Sequence, residues 1–153
     1  MSAHRYRFRR TWFLDANPDD VFEVLYAVPL YPGWWPHILR VRRTAPERFD
    51  VLIRSVLPYR LEVELARDTI DPHAGVLQAR MDGDLVGTSR WQLDSACGGT
   101  RVRFEEDAEL ARPRLLALEP AAIPIFTINH AAMMRAAERG LRAAVTGMAV
   151  ADL

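Results

Sequence analysis

Few residues in this chain could do acid–base or anion-binding chemistry, and the most promising ones sit among apolar neighbours. Residues 100–110 alternate, with Val102, Phe104, Ala108 and Leu110 on one side and Arg101, Arg103, Glu105, Asp107 and Glu109 on the other. Glu106 therefore falls on the apolar side. A carboxyl group held in an apolar cavity is pushed toward its neutral form and becomes a candidate acid or base for anything polar that reaches it. Two other readings stay open: an inward glutamate neutralised by an inward arginine, or a bulge that turns Glu106 out to water. His130 lies one turn after Phe126 and one turn before Met134 on a stripe of helical spacing, so its ring is directed at the same interior. Imidazole titrates near neutrality and suits proton transfer. The competing reading is a core histidine satisfied by Asn129 or Thr127.

Two arginines share this inward pattern. Arg67 follows Tyr59, Leu61, Val63 and Leu65 on one strand face, and Arg10 sits among Tyr6, Phe8, Trp12 and Leu14. Either could neutralise Glu106, grip a carboxylate, enolate or phenolate of a ligand, or snorkel to water from a strand end. Met133, Met134 and Met148 with Trp12, Trp34, Trp35, Trp91, Tyr31 and Tyr59 supply aromatic and polarizable surface for a flat or flexible apolar ligand, unless they simply fill the core. The run Tyr31-Pro32-Gly33-Trp34-Trp35-Pro36 is an aromatic connection that, if exposed, would make a lid.

The elements that position these groups follow from periodicity. Arg5 to Leu14 alternates as a half-buried strand. Asn17-Pro18-Asp19-Asp20 places a cap, a proline at the first helical position and two acids in the first turn, so a short helix follows, burying Val21, Val24, Leu25 and Val28. Pro29, Pro32, Gly33 and Pro36 stop a longer one. Six further strands are expected near 38–44, 49–57, 59–70, 75–83, 85–94 and 100–110, with turn residues between them, which favours an antiparallel meander. From Pro113 to Met148 the spacing becomes helical, with Phe126, His130, Met133, Met134, Ala137, Leu141, Ala144 and Met148 on one stripe. The result is an α+β domain in which a seven-stranded antiparallel sheet curls around a long C-terminal helix, because that helix is the only large apolar cover available.

That order of elements resembles the helix-grip fold of the START-like superfamily, also called SRPBCC, in its polyketide cyclase/dehydrase and lipid-transport branch. The pieces that carry the resemblance are Asn17-Pro18-Asp19-Asp20-Val21-Phe22, Tyr31-Pro32-Gly33-Trp34-Trp35-Pro36, Gly83-Asp84-Leu85-Val86-Gly87-Thr88-Ser89-Arg90-Trp91 and Gly99-Thr100-Arg101-Val102. They are turns and packing residues, and none is a reaction signature. The resemblance covers essentially residues 1–153 and implies one domain with a deep hydrophobic cavity between sheet and helix. It implies a binder of a polyketide, lipid or quinone-like molecule. The alternative is a cofactor-independent cyclase, aromatase or dehydratase, in which His130 and Glu106 move protons and an arginine steadies an enolate. The ligand-binding residues on this reading are Trp34, Trp35, Tyr59, Arg67, Trp91, Phe126, Asn129, Met133 and Met134.

Composition narrows the remaining classes. The chain has 153 residues, half of them hydrophobic, with 20 basic residues, all arginine, balanced by 20 acidic ones. No net field points to nucleic acid or a membrane surface. Absence of lysine reads as the codon usage of a GC-rich bacterial genome. Leu115 to Ile128 is the longest mostly apolar stretch and is broken by Glu119, Pro120, Pro124 and Thr127, so no membrane insertion is expected. The N-terminus lacks the apolar core of a secretory signal, which suggests a cytoplasmic protein. Phosphate loops, Gly-x-Ser-x-Gly and His-Glu-x-x-His are absent, and the histidines at 4, 37, 73 and 130 lack metal-ligand spacing, so neither cofactor nor metal is expected. Cys97, beside Gly98 and Gly99 in a turn, reads as a spectator. An uncovered edge strand such as Ile38 to Arg43 could pair across a homodimer.

Overall fold

The computed structural model describes residues 5–54, 60–111 and 122–151, with the backbone alone described for 122–126 and 148–151. Strand β1, Arg5–Leu14, alternates as its sequence dictates, burying Tyr6, Phe8, Trp12 and Leu14. Helix α1, Pro18–Tyr26, is capped by Asn17, whose side chain accepts from the Asp20 N–H at 3.0 Å. A 3-10 segment, Val28–Gly33, follows. Six strands come next: β2 Ile38–Ala45, β3 Arg48–Ile53, β4 Leu61–Asp71, β5 Val76–Gly83, β6 Leu85–Ala96 and β7 Gly99–Leu110. Helix α2, Ala122–Ala151, ends the described chain.

The expected meander is present as one seven-stranded antiparallel sheet in the order β1-β7-β6-β5-β4-β3-β2. The distal parts of the strands expected over 49–57 and 59–70, and of the helix expected from Pro113, fall outside the described residues. The open edges are β1 and β2, and β2 carries Arg40, Arg42 and Arg43, charges of the kind that discourage strand addition. Among the described residues no helix is long and apolar enough to cross a membrane.

The sheet's inward face and α2 share one hydrophobic core, in which Met134, Ala137, Leu141 and Val145 pack with Trp12, Trp91, Val102 and Phe104. Spacings of three and four residues keep Met134, Ala137, Leu141 and Val145 on one side of the helix. Val145 replaces Ala144 on the fully buried line, and Ala144 is half-buried.

Gly140 sets how closely α2 can approach the segment after α1. A Cβ there would lie 1.7 Å from the Trp34 carbonyl oxygen, a backbone atom that cannot rotate away. Gly140→Ala is therefore expected to destabilise by about 1–3 kcal/mol, because overpacking here outweighs alanine's better helix propensity. Denaturant unfolding would measure this, and a neutral or stabilising result would mean that helix and segment separate freely.

Candidate functional site

Against the inward face of the sheet lies a cavity of about 90 Å³ with a largely apolar lining, closed by Leu25 of α1, by Val28, Tyr31 and Trp35 of the segment after it, and by Met133 of α2. Trp35, Trp91, Phe104, Met81 and Met133 supply much of the wall. The Trp91 ring is tilted on Phe104 with centroids 4.6 Å apart and meets Trp35 edge-on at 6.3 Å. The Trp35 indole N–H donates to the Met133 carbonyl at 3.0 Å and so ties the segment after α1 to the helix. The aromatic run is therefore part of the wall and not an exposed lid: Tyr31 and Trp35 are buried, and Trp34 is half-buried against both of them. The 3-10 turn buries Val28 and Tyr31, three residues apart, and the Trp35 N–H donating to the Tyr31 carbonyl at 2.8 Å carries the chain back so that Trp35 is buried beside them.

Polar groups enter the lining along one row of the sheet. The register places Arg67 opposite Ala79, Ala79 opposite Ser89, and Ser89 opposite Glu106, so that β4, β5, β6 and β7 each contribute one inward residue. All four line the cavity. At roughly 4.8 Å between strands, the row spans about 14 Å from the cationic to the acidic end. Gln78 and Tyr31 also line it; Tyr31 belongs to the aromatic surface expected to suit a ligand, whereas sequence reasoning did not single out Gln78 or Ser89. Nothing but pairing register marks Ser89, because a lone serine in an alternating strand carries no signal of its own.

Glu106 faces inward as expected, and its side chain is only 12% exposed. Neither candidate arginine neutralises it. Arg10 donates to the Arg9 carbonyl, and Arg67 pairs with Glu47 at 2.6 Å. The ionisable side chain set beside Glu106 is His130, with Nε2 at 3.5 Å from Oε2. Its imidazole stacks on Phe8 with centroids 3.6 Å apart and planes 8° from parallel, and neither ring nitrogen has a hydrogen-bond partner. The reading of a core histidine satisfied by Asn129 or Thr127 therefore fails. His130 stands behind Glu106 and does not itself line the cavity. A buried imidazole with two unpartnered nitrogens beside a carboxylate can exchange a proton with it after a small approach.

The other expected ligand contacts divide three ways. Trp35, Arg67, Trp91 and Met133 line the cavity; Trp34, Asn129 and Met134 pack behind the lining. Tyr59 and the Phe126 side chain lie outside the described residues. Cys97 is exposed in the β6–β7 turn, away from this site.

Tyr31 is fully enclosed, and its hydroxyl donates to the Leu25 carbonyl. Burial raises its pKa well above the ordinary 10.0, with the Arg67 charge pulling weakly the other way. A raised folded value leaves stability untouched below pH 10.0 and removes it as pH climbs beyond, since the unfolded chain loses the proton first. The protein is expected to lose stability above about pH 10, and Tyr31→Phe should flatten that decline. Thermal melts from pH 8 to 11 would check this, and identical alkaline slopes in both proteins would count against it.

No family model matches the sequence, and no curated protein does. Solved structures do match in shape. The Zhui aromatase/cyclase from Streptomyces sp. R1128 superposes with a TM-score of 0.78 at 16% identity, over 94% of each chain. A START superfamily protein from Mycobacterium smegmatis gives 0.73 at 14% identity, over 93% of this chain and 98% of that one. The di-domain aromatase/cyclase StfQ of the steffimycin biosynthetic pathway gives 0.73 at 16% identity, covering 95% of this chain and 52% of that one. The chain thus has the START-like, SRPBCC helix-grip fold, with the seven-stranded curved sheet and long C-terminal helix that define it.

Proposed function

We propose that the protein binds a hydrophobic, oxygen-bearing small molecule, of polyketide, lipid or quinone-like character, between the sheet and α2. The observation that carries this reading is the Arg67 guanidinium. Arg67 lines a largely apolar cavity whose other polar members are Tyr31, Gln78, Ser89 and Glu106; its side chain is only 4% exposed, and Nη2 is left without any hydrogen-bond partner. A buried N–H of a charged group without an acceptor costs about 1–3 kcal/mol or more, which an oxygen of a bound ligand would recover. The apolar wall supplies the rest of the affinity through removal of surface from water.

At about 90 Å³ the cavity is smaller than the 300–1,000 Å³ typical of sites for drug-sized ligands, so binding a multi-ring molecule requires the wall to give. Met133 is the natural element to move, being half-buried, unbranched and on the lining. Native mass spectrometry of the purified protein tests the reading. A co-purifying apolar compound, displaced on mild unfolding, is the expected result; a protein that is empty and also fails to take up aromatic ketones would overturn it.

A second reading, favoured by the Glu106–His130 pair, is cofactor-independent catalysis in the same cavity. Glu106 would take or give a proton at a ligand carbon or oxygen, His130 would exchange that proton from behind, and Arg67 would steady the enolate oxygen. In an aldol cyclisation the enolate carbon would bond to a second ketone of the same chain, whose oxygen takes the proton; dehydration would then remove an α-proton and expel that protonated oxygen as water, with aromatisation following from loss of water. The aromatase/cyclase names of two structural neighbours support this reading by analogy of fold alone.

A further inference from the structure

The guanidinium of Arg67 is held by more than its burial. Nε donates to Glu47 Oε2 at 2.6 Å and Nη1 to the Tyr26 carbonyl at 2.6 Å. The backbone N–H of Arg67 donates to the Glu47 carbonyl at 2.9 Å. The rings of Tyr26 and Phe49 lie 4.3 and 5.1 Å from the guanidinium carbon. Orientation is thus fixed from several sides, the positive charge is already balanced by Glu47, and Nη2 is the one nitrogen left without a partner.

Arginine recognises a carboxylate or phosphate through two parallel N–H···O bonds from adjacent nitrogens, with its full charge available to the anion. Neither condition holds at Arg67. Nε has given its only hydrogen to Glu47, which closes its fork with Nη2, Nη1 has given one of its two to the Tyr26 carbonyl, and a ligand anion would enter beside the carboxylate of Glu47. Such an anion would be desolvated while gaining one hydrogen bond and some repulsion. A ketone, quinone carbonyl or phenol oxygen needs only a single donor and has no charge to desolvate.

Resting on the ligand-binding reading above, we infer that the site selects a neutral oxygen on an apolar body and rejects carboxylates and phosphates. Glu47 is the positioning residue that enforces this choice. It sits in the turn between β2 and β3, its side chain is 40% exposed, and it is not part of the cavity lining. A free fatty acid or a phospholipid headgroup is then a poor occupant of the Arg67 end.

Acetophenone and benzoate test this, since the two have nearly the same shape and differ by a methyl ketone against a carboxylate. Titrations of the folded protein at pH 7, followed by NMR, should give acetophenone at least about a tenfold lower dissociation constant, the scale of one hydrogen bond to a charged group. In Glu47→Gln, benzoate should gain several-fold relative to acetophenone. Benzoate binding as tightly as acetophenone in the unmodified protein overturns the inference and leaves the ligand-binding reading intact. An unchanged preference in Glu47→Gln overturns the role of Glu47. Failure of both compounds to bind overturns the ligand-binding reading, and the inference with it.

Discussion

Leu141→Ala and Met134→Ala are each expected to destabilise the protein by about 2–5 kcal/mol, the cost of removing a large side chain from a packed interior. Leu141 and Met134 are 0% and 1% exposed and belong to the core formed where α2 meets the sheet. For a domain of this size such a loss lowers the melting temperature by about 4–20 °C. The physical reason is the division of labour between helix and sheet. Val102, Phe104 and Trp91 project from the inward face into a core that Met134 and Leu141 of α2 help to close. Denaturant unfolding of both variants checks the expectation. Losses below about 0.5 kcal/mol, typical of surface positions, would mean that α2 is dispensable to the core.

The second large effect concerns chemistry. If the protein is the cyclase of the second proposed reading, His130→Ala and Glu106→Gln are each expected to lower turnover of a poly-β-ketone by about 10² to 10⁴, the range seen when one acid–base group is lost. Ligand affinity should change much less, because His130 lies outside the cavity lining and Gln keeps the shape of Glu106. Separation of turnover from affinity is the useful readout: a carrier has no turnover to lose, and the same substitutions would alter affinity only. The geometry also predicts that the two losses are not additive, since Nε2 and Oε2 are 3.5 Å apart and would act on one proton. Turnover unaffected by either change would remove the dyad from the mechanism and leave binding as the sole reading.

Much of the scaffold can be read directly from residue order. The alternation of β1 and β7 assigns Phe8, Trp12, Phe104 and Glu106 to the inward face, and the Asn17-Pro18 pair marks the start of α1 at its observed position. What is not legible is who meets whom across the sheet. Arg67 reads as an inward arginine, yet its partners are Glu47 and the Tyr26 carbonyl, 20 and 41 positions away. No local pattern specifies such contacts; they depend on where the β2–β3 turn and the end of α1 converge. Ser89 is hidden for the same reason, since only register places it between Ala79 and Glu106. The aromatic run after α1 was easy to notice and hard to orient, because one 3-10 turn decides whether its rings face water or the core. For His130 the stripe gives the direction of the ring, while its distance behind the lining depends on the Phe8 stack.

The central claim is that an apolar ligand with a neutral oxygen occupies the space between β4–β7 and α2. Methyl NMR of protein labelled at alanine and methionine, titrated with 2-acetonaphthone, addresses it most directly. The signals of Ala79, Met81 and Met133, all on the cavity wall, should shift together and saturate with one dissociation constant, while Ala132 on the exposed side of α2 stays still. Shifts at Ala132 without shifts at Ala79 and Met133, or no saturable shift at any cavity methyl, would contradict the account.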